Sequence, residues 1–402
     1  MENAISLPSS FSWSRFFNGS LMVFGTSVGA GMLGIPLMTA EGGFTSALSV
    51  TFLVWVFMAI TGLLLLEVTF YMPKGANFIT LSSQLLGKKG KWLTITFFLF
   101  LYYAFLVAYF SGGAPLLGEV LAFFNLPRSS ILELGLFSSI FGGVILLGAR
   151  VINKANFVLS LGMLAIFPVL IFLGAQGVSQ EKLVNVKPFS ISVAAVPVLF
   201  GAFGFHNIVP SLSNYLGRDK KVLRGSVLFG TFLAFFLYVV WQWLVLGSLS
   251  PKVLQEVLDK GLPVTYALAQ GSSYRVFILG QVFAFAALTT SFLGVSFSLV
   301  DFIQDGIEQK RKGILPRFVY VLLALIPPLV CVLFNPHIFD RALGVAGGFG
   351  EALLNGILPI LFFIKVKSLK KIDLSNKYKM FLGALLLFSV WAMFIEIFHL
   401  IQ

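Results

Sequence analysis

The segment Gly25-Thr26-Ser27-Val28-Gly29-Ala30-Gly31-Met32-Leu33-Gly34-Ile35-Pro36 constrains this chain more than any other. It lies inside an apolar run from about Phe16 to Ala40, long enough to cross a bilayer. Yet its glycines and its proline weaken a continuous helix at a depth where no water satisfies freed backbone groups. Unwound backbone is tolerated there only where it lines a cavity. A half-helix beginning near Ala30 to Leu33 would aim its N–H groups and positive dipole end into that cavity, which suits a carboxylate or a phosphate. The bland alternative is that the glycines only let two helices pack closely.

The class follows from how apolar the rest of the chain is. Of 402 residues, 58% are hydrophobic and 11% charged, and the mean hydropathy is +0.95. A soluble core has no use for that much apolar surface, so the chain reads as a polytopic protein of the lipid bilayer. The lead Met1 to Ser14 has no basic n-region and no small-residue cleavage site, so the first span is expected to stay. The net charge of +12 is explained by basic cytoplasmic loops and does not call for a nucleic-acid partner. Cys331 is the only cysteine, and His206, His337 and His399 lie far apart. No thiol or histidine metal cluster, HExxH or Walker A loop is present, which argues against an enzyme and against a cofactor.

Eleven apolar spans are expected, near 16–40, 44–71, 94–122, 131–149, 155–176, 191–216, 223–248, 276–304, 318–334, 342–366 and 380–400. With the N-terminus in the cytoplasm, 21 of the 28 Lys and Arg fall on the cytoplasmic side, and the C-terminus lies outside. The external stretch Ser248 to Tyr274 reads as a lid, with a polar helix between Pro251 and Pro263. The sixth span contains Gly201-Ala202-Phe203-Gly204-Phe205-His206-Asn207-Ile208-Val209-Pro210, which repeats the small-residue, polar and proline order of the first break. The two breaks are five spans apart. Five is odd, so the halves that carry them run through the membrane in opposite senses. That is the signature of a secondary transporter built from inverted repeats, with its site at the midplane. The expected fold is therefore all-α and LeuT-like, a five-plus-five inverted repeat with helices 1 and 6 interrupted. Residues 15–176 form the first repeat, 190–366 the second, and 379–402 an extra eleventh helix within one 1–402 transporter domain.

The first break, the segment Phe203-Gly-Phe-His-Asn-Ile-Val-Pro-Ser-Leu212 and Thr290-Ser-Phe-Leu-Gly-Val295 before Asp301-Phe302 resemble the aromatic amino acid permeases. These are the tyrosine and tryptophan permeases of the hydroxy and aromatic amino acid permease family, with the tyrosine-specific members nearest. The segment around His206 is the most specific part of the match. The resemblance runs over essentially the whole chain. It implies the amino acid–polyamine–organocation fold and proton-driven uptake across a bacterial cytoplasmic membrane. Asn207 stands where the family usually has glycine.

An amino acid needs a carboxylate cradle, acceptors for its ammonium and a side-chain pocket. Backbone N–H groups of Ala30, Gly31 and Met32, next to Gly29, could form the cradle. Carbonyls near Gly25, Thr26 and Ala202 could accept from the ammonium. Phe203, Phe205, Tyr103 and Tyr109, with Phe292 behind them, are candidates to stack an aromatic ring, although so aromatic a chain offers many such residues as core or lipid-facing filler. His206 and Asn207 fall inside the second break. The histidine could meet a tyrosine hydroxyl, take a proton, or satisfy an unwound carbonyl. Glu67 and Glu351 are candidate proton carriers at different depths. Asp301 and Lys154 could pair at the inner ends of their spans, and Lys154 resembles the fifth-span lysine that replaces sodium in some proton-coupled relatives; a snorkelling lysine fits equally. Thr290 and Ser291 supply the hard oxygens of a sodium site, so sodium coupling stays open. Transport of another neutral amino acid also stays open. A channel lacks a ring-forming filter here, and a scaffold protein leaves two midplane breaks unexplained.

Overall fold

The computed structural model describes residues 12–184, 188, 192–308 and 316–401. The lead before Ser12 and residue 191, at the head of the sixth span, lie outside them. Among the described residues there is no strand. Nine helical stretches among the described residues are long and apolar enough to cross a membrane. The interrupted first span and the 17-residue helix Ser130–Leu146 fall short of that length, so helix length by itself does not establish the count of eleven.

The first span is α1 (Trp13–Ser27) and α2 (Ile35–Thr39), joined by a tight turn at Ala30–Leu33. Gly29 is fully extended, with φ −160° and ψ −155°, and Pro36 sits in the first turn of α2, where its missing N–H costs nothing. α3 (Gly43–Thr69) follows. α4 (Phe78–Phe123) bends at Gly87, whose φ of 73° no helical residue adopts. Then come α5 (Ser130–Leu146), α6 (Ala149–Gly174) and the short α7 (Gln180–Val184). The second interrupted span is α8 (Val196–Ala202) and α9 (Val209–Tyr215), separated by Phe203–Phe205 and a turn at His206–Ile208. Pro210 opens α9 as Pro36 opens α2.

α10 (Lys220–Ser248) is capped by the Asp219 carboxylate, which accepts from the N–H groups of Lys221 and Val222. The expected polar helix of the 248–274 stretch is α11 (Pro251–Asp259), packed against α2. After α12 (Leu268–Gly271) come α13 (Tyr274–Glu308) and α14 (Arg317–Phe334). The tenth span holds α15 (Phe339–Val345), a π-helical segment Ala346–Ile357 and α16 (Leu358–Leu369). α17 (Asn376–Ile401) closes the chain.

Small residues decide where the interrupted helices meet their neighbours. α1 packs on α10, α8 on the π segment, and α13 on α4 and α6. At Gly347 the backbone of the π segment touches the Pro197 carbonyl of α8, leaving no room for a Cβ. Large aromatics fill the remaining volume, with Trp241, Tyr238, Phe200 and Phe203 fully buried. Leu21, Phe157, Phe236 and Phe394 are exposed, as expected of a surface that faces lipid or a cavity.

Candidate functional site

The two breaks converge. A Cβ built on Gly31 would stand 2.9 Å from the Ala202 Cα and 3.0 Å from its Cβ, so the unwound segments touch. Beside them lies a cavity of about 740 Å³ lined from six directions, α6 among them. The first break contributes Gly25, Thr26, Gly29, Ala30 and Gly31, and the second contributes Gly204 and Asn207. α13 adds Thr290 and Ser291, α4 adds Tyr102, Phe105 and Tyr109, and the π segment adds Glu351 and Asn355. The cavity runs past Leu21, Asn156, Phe157 and Ser298 toward the end where α1 and α6 begin and α13 ends.

On the other side of the breaks the structure is shut. Trp241 Nε1 donates to the Met32 carbonyl at 3.1 Å. The Gln242 amide donates to Thr51 Oγ1 at 3.0 Å, and Thr39 Oγ1 donates to Gln242 Oε1 at 3.4 Å. These partners satisfy polar groups that hydrocarbon could not.

Part of the expected cradle is already engaged. The Ala30 N–H donates to Ser291 Oγ at 3.2 Å, and the Met32 N–H to the Gly29 carbonyl at 3.2 Å. Met32 is buried and does not line the cavity. The Ala202 carbonyl, expected to be open to an ammonium, accepts from the Tyr238 hydroxyl at 2.8 Å. The same hydroxyl lies 2.7 Å from the Ser27 carbonyl. One side chain of α10 thus bridges the carbonyl ends of α1 and α8.

The aromatic wall also differs from the expected one. Of the five candidate rings only Tyr109 lines the cavity, stacked on Phe105 at 5.7 Å with 7° between planes. Phe203 turns away onto Tyr238, 5.0 Å between centroids. Phe205 lies against Gly62 and against the His206 ring. Tyr103 donates to the Leu323 carbonyl at 2.8 Å, on the face of α4 away from the cavity. Phe292 packs on Phe110 at 4.9 Å and Phe137 at 5.2 Å. The wall is instead Phe24, Phe98, Tyr102, Phe105, Tyr109 and Phe157.

The ionisable candidates separate just as clearly. His206 is fully buried behind the break, with Nε2 2.9 Å from Thr61 Oγ1. Glu67 is bound by Arg224 at 2.9 Å and reached by Lys367 at 4.0 Å. Asp301 faces Arg317 at 3.8 Å, which takes the place expected for Lys154. Lys154 itself is exposed, and Asn156 and Ser160, further along α6, line the cavity in its stead. Asn156 Oδ1 is buried without a hydrogen-bond partner. Thr290 Oγ1 bonds back to the Ala287 carbonyl at 3.0 Å. Among the described residues no group of three His, Cys, Asp or Glu side chains could hold a metal ion.

An all-helical membrane protein whose two broken helices share one cavity has the architecture of a transporter. Solved structures share the fold: that titled MhsT in complex with L-phenylalanine matches with TM-score 0.60 and 15% identity, over 96% of this chain and 98% of the other. The structure titled Mhp1, a nucleobase-cation-symport-1 family transporter, matches with TM-score 0.56 and 14% identity, over 95% and 92%. Residues 13–401 fit the tryptophan/tyrosine permease family. The tyrosine-specific transport system 1 of Haemophilus influenzae is 34% identical over 341 residues, covering 83% of this chain and 84% of that protein. The tryptophan-specific transport protein of the same organism is 30% identical over 363 residues, 85% of each. The chain belongs to the tryptophan/tyrosine permease family, an integral membrane family of transport proteins.

Proposed function

We propose that the chain imports aromatic amino acids, tyrosine first and tryptophan next, by proton symport with alternating access. The observation that carries this reading is the cavity beside the two breaks, which joins backbone of both half-helix pairs to a wall of six aromatic side chains. Its volume falls in the range of small-molecule sites, and an aromatic ring is favoured by offset or edge contacts with Phe and Tyr. The names of the relatives support the substrate class. The bias of basic residues supports an N-terminus in the cytoplasm and a C-terminus outside, and the bacterial relatives support a bacterial inner membrane. On that orientation the cavity faces inward. Residues 15–176 and 190–366 act as the two repeats, and 379–402 as an added helix.

A sodium-coupled version remains a second reading, because the hydroxyls of Thr290 and Ser291 both line the cavity near the first break. Uptake of labelled tyrosine into proteoliposomes separates the two. Accumulation under a proton gradient alone is the expected result; a requirement for sodium would move coupling to the two hydroxyls. No uptake or binding of tyrosine, tryptophan or phenylalanine would overturn the substrate assignment. In the same assay Lys154→Ala is expected to retain concentrative uptake within about twofold, as a solvated surface lysine does; loss of coupling would return Lys154 to the mechanism.

A further inference from the structure

Proton coupling needs a group that can carry a proton through closure of the cavity. Glu67 and Asp301 are each held against a basic side chain, and Lys154 stands in the open. Glu351 differs from all three. It is 5% exposed, lines the cavity, and has no cation within ion-pair distance among the described residues. Its bonded partner is the Asn355 side-chain amide, one turn along the same segment. It also sits midway along the π-helical stretch, and such irregular turns are frequent at functional sites.

The carboxylate faces the second break. A Cβ added to Gly204 would stand 2.6 Å from Glu351 Oε1, so the unwound backbone and the carboxyl group share one small space. Around it, α4 presents Tyr102 and Tyr109, and α13 presents Thr290 and Ser291. The second break presents Asn207, and His206 lies beyond, turned to Thr61. α17 brings Glu396 to the tenth span at Gly344 and Gly348, where a Cβ on Gly344 would lie 2.7 Å from its Oε2. Among the described residues no Lys or Arg lines the cavity. An ionised carboxylate with a single amide donor depends on water in the open cavity. When the cavity closes and water leaves, the charge becomes costly unless a proton or a cation cancels it.

We propose that Glu351 is the proton-carrying group of the transport cycle. This rests on the reading of the chain as a proton symporter and names the site of that coupling. On the side where substrate enters, a hydronium ion of the cavity water gives its proton to the Glu351 carboxylate: one hydronium O–H bond breaks, one O–H bond forms on the carboxyl, and water is left. The neutral group stays protonated while the cavity is closed against Gly204, and the proton returns to water when the cavity opens on the other side. No other reactant is needed. Substrate and proton act on the same hinge, because both bear on the backbone of the second break.

The test uses the full-length protein in proteoliposomes and in detergent. In Glu351→Gln, tyrosine counterflow persists, slowed by no more than about tenfold, while accumulation driven by a proton gradient is lost and the pH dependence of exchange disappears. Wild-type protein in weakly buffered detergent takes up about one proton per tyrosine bound, as linkage requires, and Glu351→Gln takes up none. The wild-type proton uptake stands as a test even if the variant fails to fold, and Glu351→Asp should keep both accumulation and uptake. Accumulation by Glu351→Gln with wild-type pH dependence overturns the proposal. Loss of tyrosine binding in that variant at every pH also overturns it, by assigning the carboxylate to the substrate ammonium. Wild-type counterflow without proton uptake overturns the proton site and leaves the substrate reading standing, whereas absence of wild-type counterflow sinks that reading itself.

Discussion

Gly31→Val abolishes tyrosine uptake while the protein still inserts and accumulates in the membrane. The Cβ of any residue at this position meets the Ala202 Cα at 2.9 Å and Cβ at 3.0 Å. Neither is the end of a flexible side chain, so the two broken helices must move apart. Overpacking of this kind costs about 1–3 kcal/mol, and a valine adds two methyl groups to the first clash. If that cost falls mainly on the state in which the breaks touch, the population of that state drops roughly 5- to 150-fold. Initial uptake rates should fall to background, with Gly31→Ala at an intermediate rate. Quantifying the inserted protein separates loss of transport from loss of folding. Uptake at the wild-type rate would show that contact between the breaks is not needed for transport.

Gly31 is held to glycine by its contact with Ala202. Glycine and proline order located both breaks within a residue or two, because unwinding at membrane depth has few solutions and each leaves a compositional mark. The sequence could not show that Gly31 is needed as much for contact with Ala202 as for an open N–H. Nor could it show which way side chains leave an unwound segment. Phe203 and Phe205 lie within the second break, yet both rings are buried in the core.

The α4 side chains show a second limit. Tyr102 lines the cavity and Tyr103 does not, a difference of one position and about 100° around a helix. A soluble helix would reveal its inward face by polarity. A membrane helix is apolar all round, so that signal is absent. Charged residues were easier to place by span than by partner. Glu67 sits near the end of α3, but its partner Arg224, 157 positions away, comes from a helix that no local pattern links to it. Glu351 was legible as a costly carboxylate; its place in the cavity depends on the π segment, which turns it toward Gly204.

Tyr238 had no such mark, and its replacement by phenylalanine is expected to have the second-largest effect. The hydroxyl has one hydrogen to share between the Ser27 carbonyl at 2.7 Å and the Ala202 carbonyl at 2.8 Å. Both atoms terminate half-helices whose last carbonyls have no partner of their own. Tyr238→Phe keeps the ring and its edge contact with Phe203, so the core loses little packing. It does remove the donor from two buried acceptors, at a cost of about 1–3 kcal/mol. Because the bridge spans both breaks, that cost should appear in the motion of one half-helix pair against the other. The expected result is an uptake rate lowered about tenfold, the equivalent of roughly 1.4 kcal/mol, with normal insertion and a modestly lower melting temperature in detergent. A lower melting temperature at an unchanged uptake rate would make Tyr238 a fastener of the scaffold. An unchanged value of both would mean that cavity water takes over the two carbonyls, placing the hydration of the site, not the tyrosine, in control of the breaks.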